Sequence, residues 1–186
     1  LAETPLARVG QIEEIHVIWR PFELRPEPAP LLDPNGDYIR NAWERNVLPL
    51  SREMGVTMVR PPVQPRTRLA HEAAAYARLQ GREMAMAGAI FRAFFQDGRD
   101  IGQIEVLADV GLAAGLDPVG LRACLEQGEL RAQVQQEERL ARINLIDAVP
   151  YFIFDGRVAA RGLQSEADLL RAIRRCRGDG LIKLEE

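Results

Sequence analysis

The stretch Val149-Pro150-Tyr151-Phe152-Ile153-Phe154-Asp155-Gly156 puts a proline at the head of a short apolar run and an Asp-Gly pair at its end. Proline has no N–H to give to a ladder, so it belongs at a strand's first residue, at an edge or at a bulge. Asp-Gly suits a tight hairpin turn. The run therefore reads as a strand that turns back into Arg157-Val158-Ala159-Ala160. Gly162 then ends the extended pattern. Ser165-Glu166-Ala167-Asp168 has the form of a capping box, with Asp in the place of Glu, opening an amphipathic helix. X-Pro bonds are the ones that readily become cis. Val149-Pro150 is thus either an ordinary trans junction or a cis bond that exposes the backbone of Val149 to an extended peptide.

With 186 residues, 47% of them apolar and 27% charged, the chain can bury the core of one domain, or of one domain with a sizeable insertion. A net charge of -3, a lone lysine (Lys183) and no basic run give no electrostatic case for a nucleic-acid partner. No apolar stretch approaches the roughly 20 residues that cross a membrane, so no membrane partner is expected either. Cys124 and Cys176 lie too far apart to form a Cys-x-x-Cys centre. Together with His16 and His71 they offer no pair at metal-ligand spacing. Cys124 reads as a small packed apolar residue, whereas Cys176 stands among arginines that would lower a thiol pKa. The chain opens on Leu1 instead of methionine, which raises the expectation of a preceding segment, processed or omitted.

Residues 1–10 read as the tail of a helix or a loop. Ile12–Arg20 is β-rich and continuously apolar at Val17-Ile18-Trp19, the pattern of a buried parallel strand. Pro21 and the Pro-rich stretch Arg25–Pro34 end it. A helix is expected over Asp37–Asn46, with a restart at Leu48-Pro49 and a left-handed stop at Gly55. Val56–Pro65 is an extended link. From Thr67 to Arg142 the pattern is helical, broken at Gly81, Asp97-Gly98, Gly115–Pro118 and Gly128. Asp117-Pro118 has the N-cap and first-turn proline of a new helix. The tail from Arg177 is expected to fray. Three segments follow: 1–66, the N-terminal part of an α/β domain; 67–142, a helical insertion; and 143–186, a hairpin with a closing helix.

Three stretches together resemble the DsbA family of thioredoxin-like proteins, in particular its FrnE-type branch, which is also similar to 2-hydroxychromene-2-carboxylate isomerases. Val17-Ile18-Trp19-Arg20-Pro21-Phe22-Glu23-Leu24 matches the strand exit W-R-P-F-E-L. Thr67-Arg68-Leu69-Ala70-His71 is similar to the N-T-x-x-A-H opening of the helical insertion, with Arg66 where asparagine is usual. Val149–Gly156 through Gly162-Leu163-Gln164 is similar to G-V-P-F-F-V-F-D … G-A-Q, with Ala148 in place of the first glycine.

The resemblance implies an α/β thioredoxin-like fold with a helical insertion, its first strand absent from these residues. It implies a thiol-disulfide oxidoreductase whose redox pair lies in an N-terminal segment outside them, so no catalytic residue is expected here. Pro150 would be the cis proline beside the redox site, and Val149 would offer its backbone to a substrate strand. His71 either faces the groove and tunes a thiolate or bonds locally and helps to dock the insertion. No cofactor is implied, with glutathione the alternative co-substrate. The implied partners are protein thiols and disulfides or glutathione, the assembly a monomer or homodimer, and the compartment the cytoplasm. The same scaffold serves glutathione-dependent isomerases and kappa-type transferases, and a third alternative is a non-catalytic peptide-binding protein. Trp19, Phe22, Phe94, Phe95, Phe152 and Phe154 read as core, and the Met84/Met86 pair as packing. Glu137-Glu138-Arg139 reads as a solvated helix face, and Arg171, Arg174 and Arg175 as the polar side of the last helix.

Overall fold

A computed structural model describes residues 1–178, which form two compact units. The tail expected to fray from Arg177 lies, beyond Gly178, outside the described residues.

The first unit joins Leu1–His16 to the chain from Leu145 onward. It holds helix α1 (Glu3–Ile12), strands β1 (Tyr151–Phe154) and β2 (Val158–Arg161), and helix α9 (Glu166–Arg177). The strands pair antiparallel, Tyr151 opposite Arg161 and Phe154 opposite Val158. Asp155 and Gly156 both have positive φ, 47° and 68°, the mirror-image turn that favours Asp-Gly in hairpins. The Arg157 N–H closes it on the Phe154 carbonyl at 2.9 Å. Alternation along β1 turns Phe152 and Phe154 toward Val9, Leu169 and Ile173, while Ile153 faces outward. Burying a side chain such as Leu169 stabilises the unit by about 2 kcal/mol. The capping box at Ser165 is formed in full, and Gly178 at φ 82° ends α9. Arg174 and Arg177 in the last turn of α9, where cations suit the helix dipole, reach Glu13 at 3.5 and 2.6 Å.

The second unit, Val17–Asn144, is helical. Its helices are α2 (Asp37–Ala42), α3 (Leu48–Glu53), α4 (Arg68–Leu79), α5 (Glu83–Phe95), α6 (Ile104–Ala113), α7 (Pro118–Gln127) and α8 (Arg131–Ile143). No break separates α2 from α3: a π-helical turn, Trp43–Val47, joins them, and the Leu48 N–H reaches back five residues to Trp43. The expected restart at Pro49 is thus a widened turn inside one helix, which accommodates the missing proline N–H. Alanines on α4 and α5 (Ala70, Ala73, Ala77, Ala89, Ala93) bring the helices close around Met86, Leu107, Leu121 and Leu125. Gly111 is required where α6 meets α7, since a Cβ there would run into Leu121. Asp117 caps α7 by accepting the N–H groups of Val119 and Gly120 at 3.1 and 2.9 Å. The breaks expected at Gly81, Gly98, Gly115 and Gly128 all carry positive φ.

The strand expected at Ile12–Arg20 does not form. Ile12 closes α1, and residues 14–20 are irregular, outside the single two-stranded sheet found among the described residues. A strand exists only through a partner ladder, and here the Trp19 peptide groups and the Glu14 carbonyl bond to side chains instead.

Candidate functional site

The first candidate feature lies at the head of β1. The Val149–Pro150 peptide bond is cis. The Pro150 carbonyl accepts the Gly162 N–H at 2.8 Å, extending the β1–β2 pairing by one step. In an antiparallel ladder the next residues alternate, so Tyr151 and Ile153 direct their N–H and C=O groups to the side away from β2. Within this unit that edge of β1 pairs with no strand among the described residues. Just ahead of it, Val149 is 45% exposed, and its N–H and C=O enter no hydrogen bond among the described residues. An extended chain could add to such an edge through backbone bonds alone.

The second feature, in the helical unit, is the way Trp19–Glu23 is held. The Trp19 N–H donates to Glu83 Oε1 at 3.2 Å, and the Trp19 carbonyl accepts from Arg78. Arg78 also binds Glu83 at 2.8 Å and Glu137 at 3.1 Å, and Glu137 takes Arg20 at 3.0 Å. Four positions on, the Glu23 N–H donates to Glu138 Oε1 at 2.9 Å, while the Glu23 carbonyl accepts from Arg142 at 3.0 Å. The Glu23 carboxylate, buried with 1% exposure, pairs with Arg68. Arg142 also lies over the Phe22 ring, 5.0 Å from its centroid, a cation–π contact. The peptide groups of Trp19 and Glu23 are thus satisfied by charged side chains, whose bonds are stronger than neutral ones.

Glu137 and Glu138 are therefore not a solvated face. Glu138 is 5% exposed, turned inward because the Glu23 N–H needs an acceptor there. Burial and the neighbouring Glu23 charge raise its carboxyl above the usual range against the opposing pull of the Glu23 N–H, Arg68 and Arg142. At Glu137 burial works to raise the carboxyl, but hydrogen bonds from Arg20 and Gln133 and the Arg78 charge outweigh it and hold it low.

His71 belongs to this second cluster. It sits in the first turn of α4, its Nε2 3.4 Å from Thr67 Oγ1. Burial and the Arg68 charge push its pKa from 6.5 down to about 4, against the opposing effect of a hydrogen bond to the Phe22 backbone. At neutral pH the imidazole is uncharged. Of the residues singled out in the sequence, Val149 and Pro150 adjoin in one unit and His71 lies in the other. Glu23, Arg68, Arg78, Glu83 and Glu138 were missed as a set. For Glu83 and Glu138 the sequence signal was an acidic residue on the buried face of a helix.

The two cysteines stand in different surroundings. Cys124 is 3% exposed, and burial, together with Glu129 and Glu72, pushes its thiol up to about 11. Cys176 is half-buried, its thiol donating to the Phe154 carbonyl at 3.4 Å. Among the described residues no three His, Cys, Asp or Glu side chains gather as a metal set. No helix among them is long and apolar enough to cross a membrane.

The pattern of the family described as "DSBA-like thioredoxin domain" matches residues 1–174. The uncharacterized protein YwbO of Bacillus subtilis (strain 168) is 34% identical over 106 residues, 55% of this chain and 53% of that protein. The chain thus matches about half the length of this curated relative. The crystal structure of a probable DsbA oxidoreductase from Streptomyces coelicolor superimposes with a TM-score of 0.80 at 23% identity, covering 100% of this chain and 88% of the other. That likeness concerns the fold, and it is the α/β thioredoxin-like fold with a helical insertion that the motifs implied. The match across residues 1–174 settles the wider question: this chain belongs to the family of DSBA-like thioredoxin domains.

Proposed function

We propose that the chain is the substrate-facing part of a thiol-disulfide oxidoreductase working in the cytoplasm. A thiolate outside residues 1–186 attacks one sulfur of a substrate disulfide. That S–S bond breaks, the other substrate sulfur leaves as thiolate, and a second thiol of the enzyme resolves the mixed disulfide. The chain's own contribution is to present an extended substrate to that thiolate along β1. The observation that carries this reading is the edge of β1, which pairs with no strand among the described residues and is headed by the exposed backbone of Val149, which forms no hydrogen bond among them. Family membership supports the chemistry.

A second reading, peptide binding without chemistry, has one observation in its favour: the Cys124 thiol is buried and raised to about 11. The product of the full reading frame separates the two when assayed for disulfide exchange with a cysteine-containing peptide. The oxidoreductase reading expects exchange well above the uncatalysed rate, and Val149→Pro, which removes the edge N–H, to lower kcat/KM about tenfold for the loss of one backbone bond. A folded product that binds the peptide without exchanging its disulfide would leave binding as the function. Glutathione binding in calorimetry, with no exchange of the peptide disulfide, would indicate the isomerase or transferase chemistry instead.

A further inference from the structure

Glu72 in the middle of α4 has no exposed surface, and neither carboxyl oxygen has a hydrogen-bond partner among the described residues. Among the described residues its cation partner is Arg131 in the first turn of α8, which stands at 3.6 Å, too far for a hydrogen bond, and is itself half in solvent. A carboxylate in such a place loses its hydration without replacement, a cost that the neutral acid avoids. The charged and titratable groups that act on it lie on α4, α7, α8 and the Trp19–Glu23 segment. They are Arg68 on α4 itself, Glu23 in the pinned segment, Cys124 on α7 and Arg131 on α8, with Glu129 beyond Cys124 and Glu138 further along α8. The cations are outmatched: burial, against the pull of Arg131 and Arg68, holds the Glu72 carboxyl above its usual 4.5.

We propose that Glu72 is a pH-sensitive latch at the junction of α4, α7 and α8, closed when its carboxyl is neutral and loosened when it ionises. The latch has a structural consequence because α8 carries Glu137, Glu138 and Arg142, the side chains that hold Trp19–Glu23. Loosening the first turn of α8 loosens the hold on that segment. The proposal is independent of where the redox pair lies.

The sign follows from a raised folded value. The latch contributes stability in full below the ordinary carboxylate range, and that contribution is lost as pH rises toward the folded pKa. One proton changes the opening constant by at most about tenfold per pH unit. The test is hydrogen exchange of α8 amides in the whole chain, corrected for intrinsic rates, across pH 5 to 8 in wild type and Glu72→Gln. The difference between the two cancels the titrations of Glu138 and His71. Wild type is expected to lose protection with rising pH by up to about tenfold per unit relative to Glu72→Gln. Identical pH dependence in the two proteins overturns the latch. Arg131→Gln keeps Glu72 and decides the matter should Glu72→Gln fail to fold. Removing the cation must carry the loss of protection to higher pH, and an unshifted profile again overturns the proposal.

Discussion

Glu138 on α8 accepts the peptide N–H of Glu23 at 2.9 Å, across 115 positions of sequence. The bond ties α8 to the end of the Trp19–Glu23 segment, and it is buried on both sides. Glu138→Ala leaves the Glu23 N–H unsatisfied and Arg68 with one partner fewer, at a cost of about 3 kcal/mol. Glu138→Gln keeps the acceptor and suits a site that already disfavours the charge, so its cost stays below about 1 kcal/mol. Urea denaturation measures both, and equal losses would show that the charge, not the acceptor, matters.

Arg78 serves the Trp19 carbonyl, Glu83 and Glu137 together. Arg78→Met strands an acceptor and two carboxylates, and about 3 kcal/mol of stability is expected to go with it. Arg78→Lys restores less than half, because an ammonium cannot reproduce the fork of a guanidinium. Intrinsic fluorescence should report the release of Trp19 in both variants. A lysine variant as stable as wild type would reduce Arg78 to a point charge.

His71 is held neutral by burial, its pKa about 4 in place of 6.5. A base with a depressed folded pKa stabilises the protein above the unfolded value, and that stability is lost as pH falls through the folded one. Between pH 6.5 and 4 the helical unit should lose up to about 1.4 kcal/mol per pH unit. His71→Asn should flatten that slope. A proton NMR titration of the imidazole gives the midpoint directly, and one above pH 6 contradicts this account.

Cys124 combines 3% exposure with a thiol raised to about 11. In the native state at pH 8 its alkylation should run at least about a hundredfold slower than that of a free thiol, from the lost thiolate fraction alone. Mass spectrometry of native and denatured samples reads the rate. Fast native labelling would show α7 opening far more often than its packing implies.

The side chain of Asp117 receives two N–H groups at the start of α7. Asp117→Ala should cost about 1 kcal/mol in thermal or urea denaturation, and Asp117→Asn much less.

Much of the fold was legible because its signals are local. The Asp-Gly turn, the Ser165 capping box, the Asp117-Pro118 helix start and the glycine stops each act within four or five residues, and each stands where the pattern put it. The three family motifs carried the fold itself. Of the candidate site's geometry only the strand head at Val149-Pro150 was legible, because a proline before an apolar run marks one on sequence grounds alone.

What only the tertiary structure decided is where distant polar groups find partners. Val17-Ile18-Trp19 has the composition of a buried strand, yet the Trp19 peptide groups answer to Glu83 and Arg78, some sixty positions away. Glu137 and Glu138 have the composition of a wet helix face, yet they bind Arg20 and the backbone of Glu23. Composition and period set which conformations a segment tolerates. Hydrogen bonding between segments far apart in sequence sets which one it takes, because a buried peptide group must be satisfied and sequence spacing does not record by what.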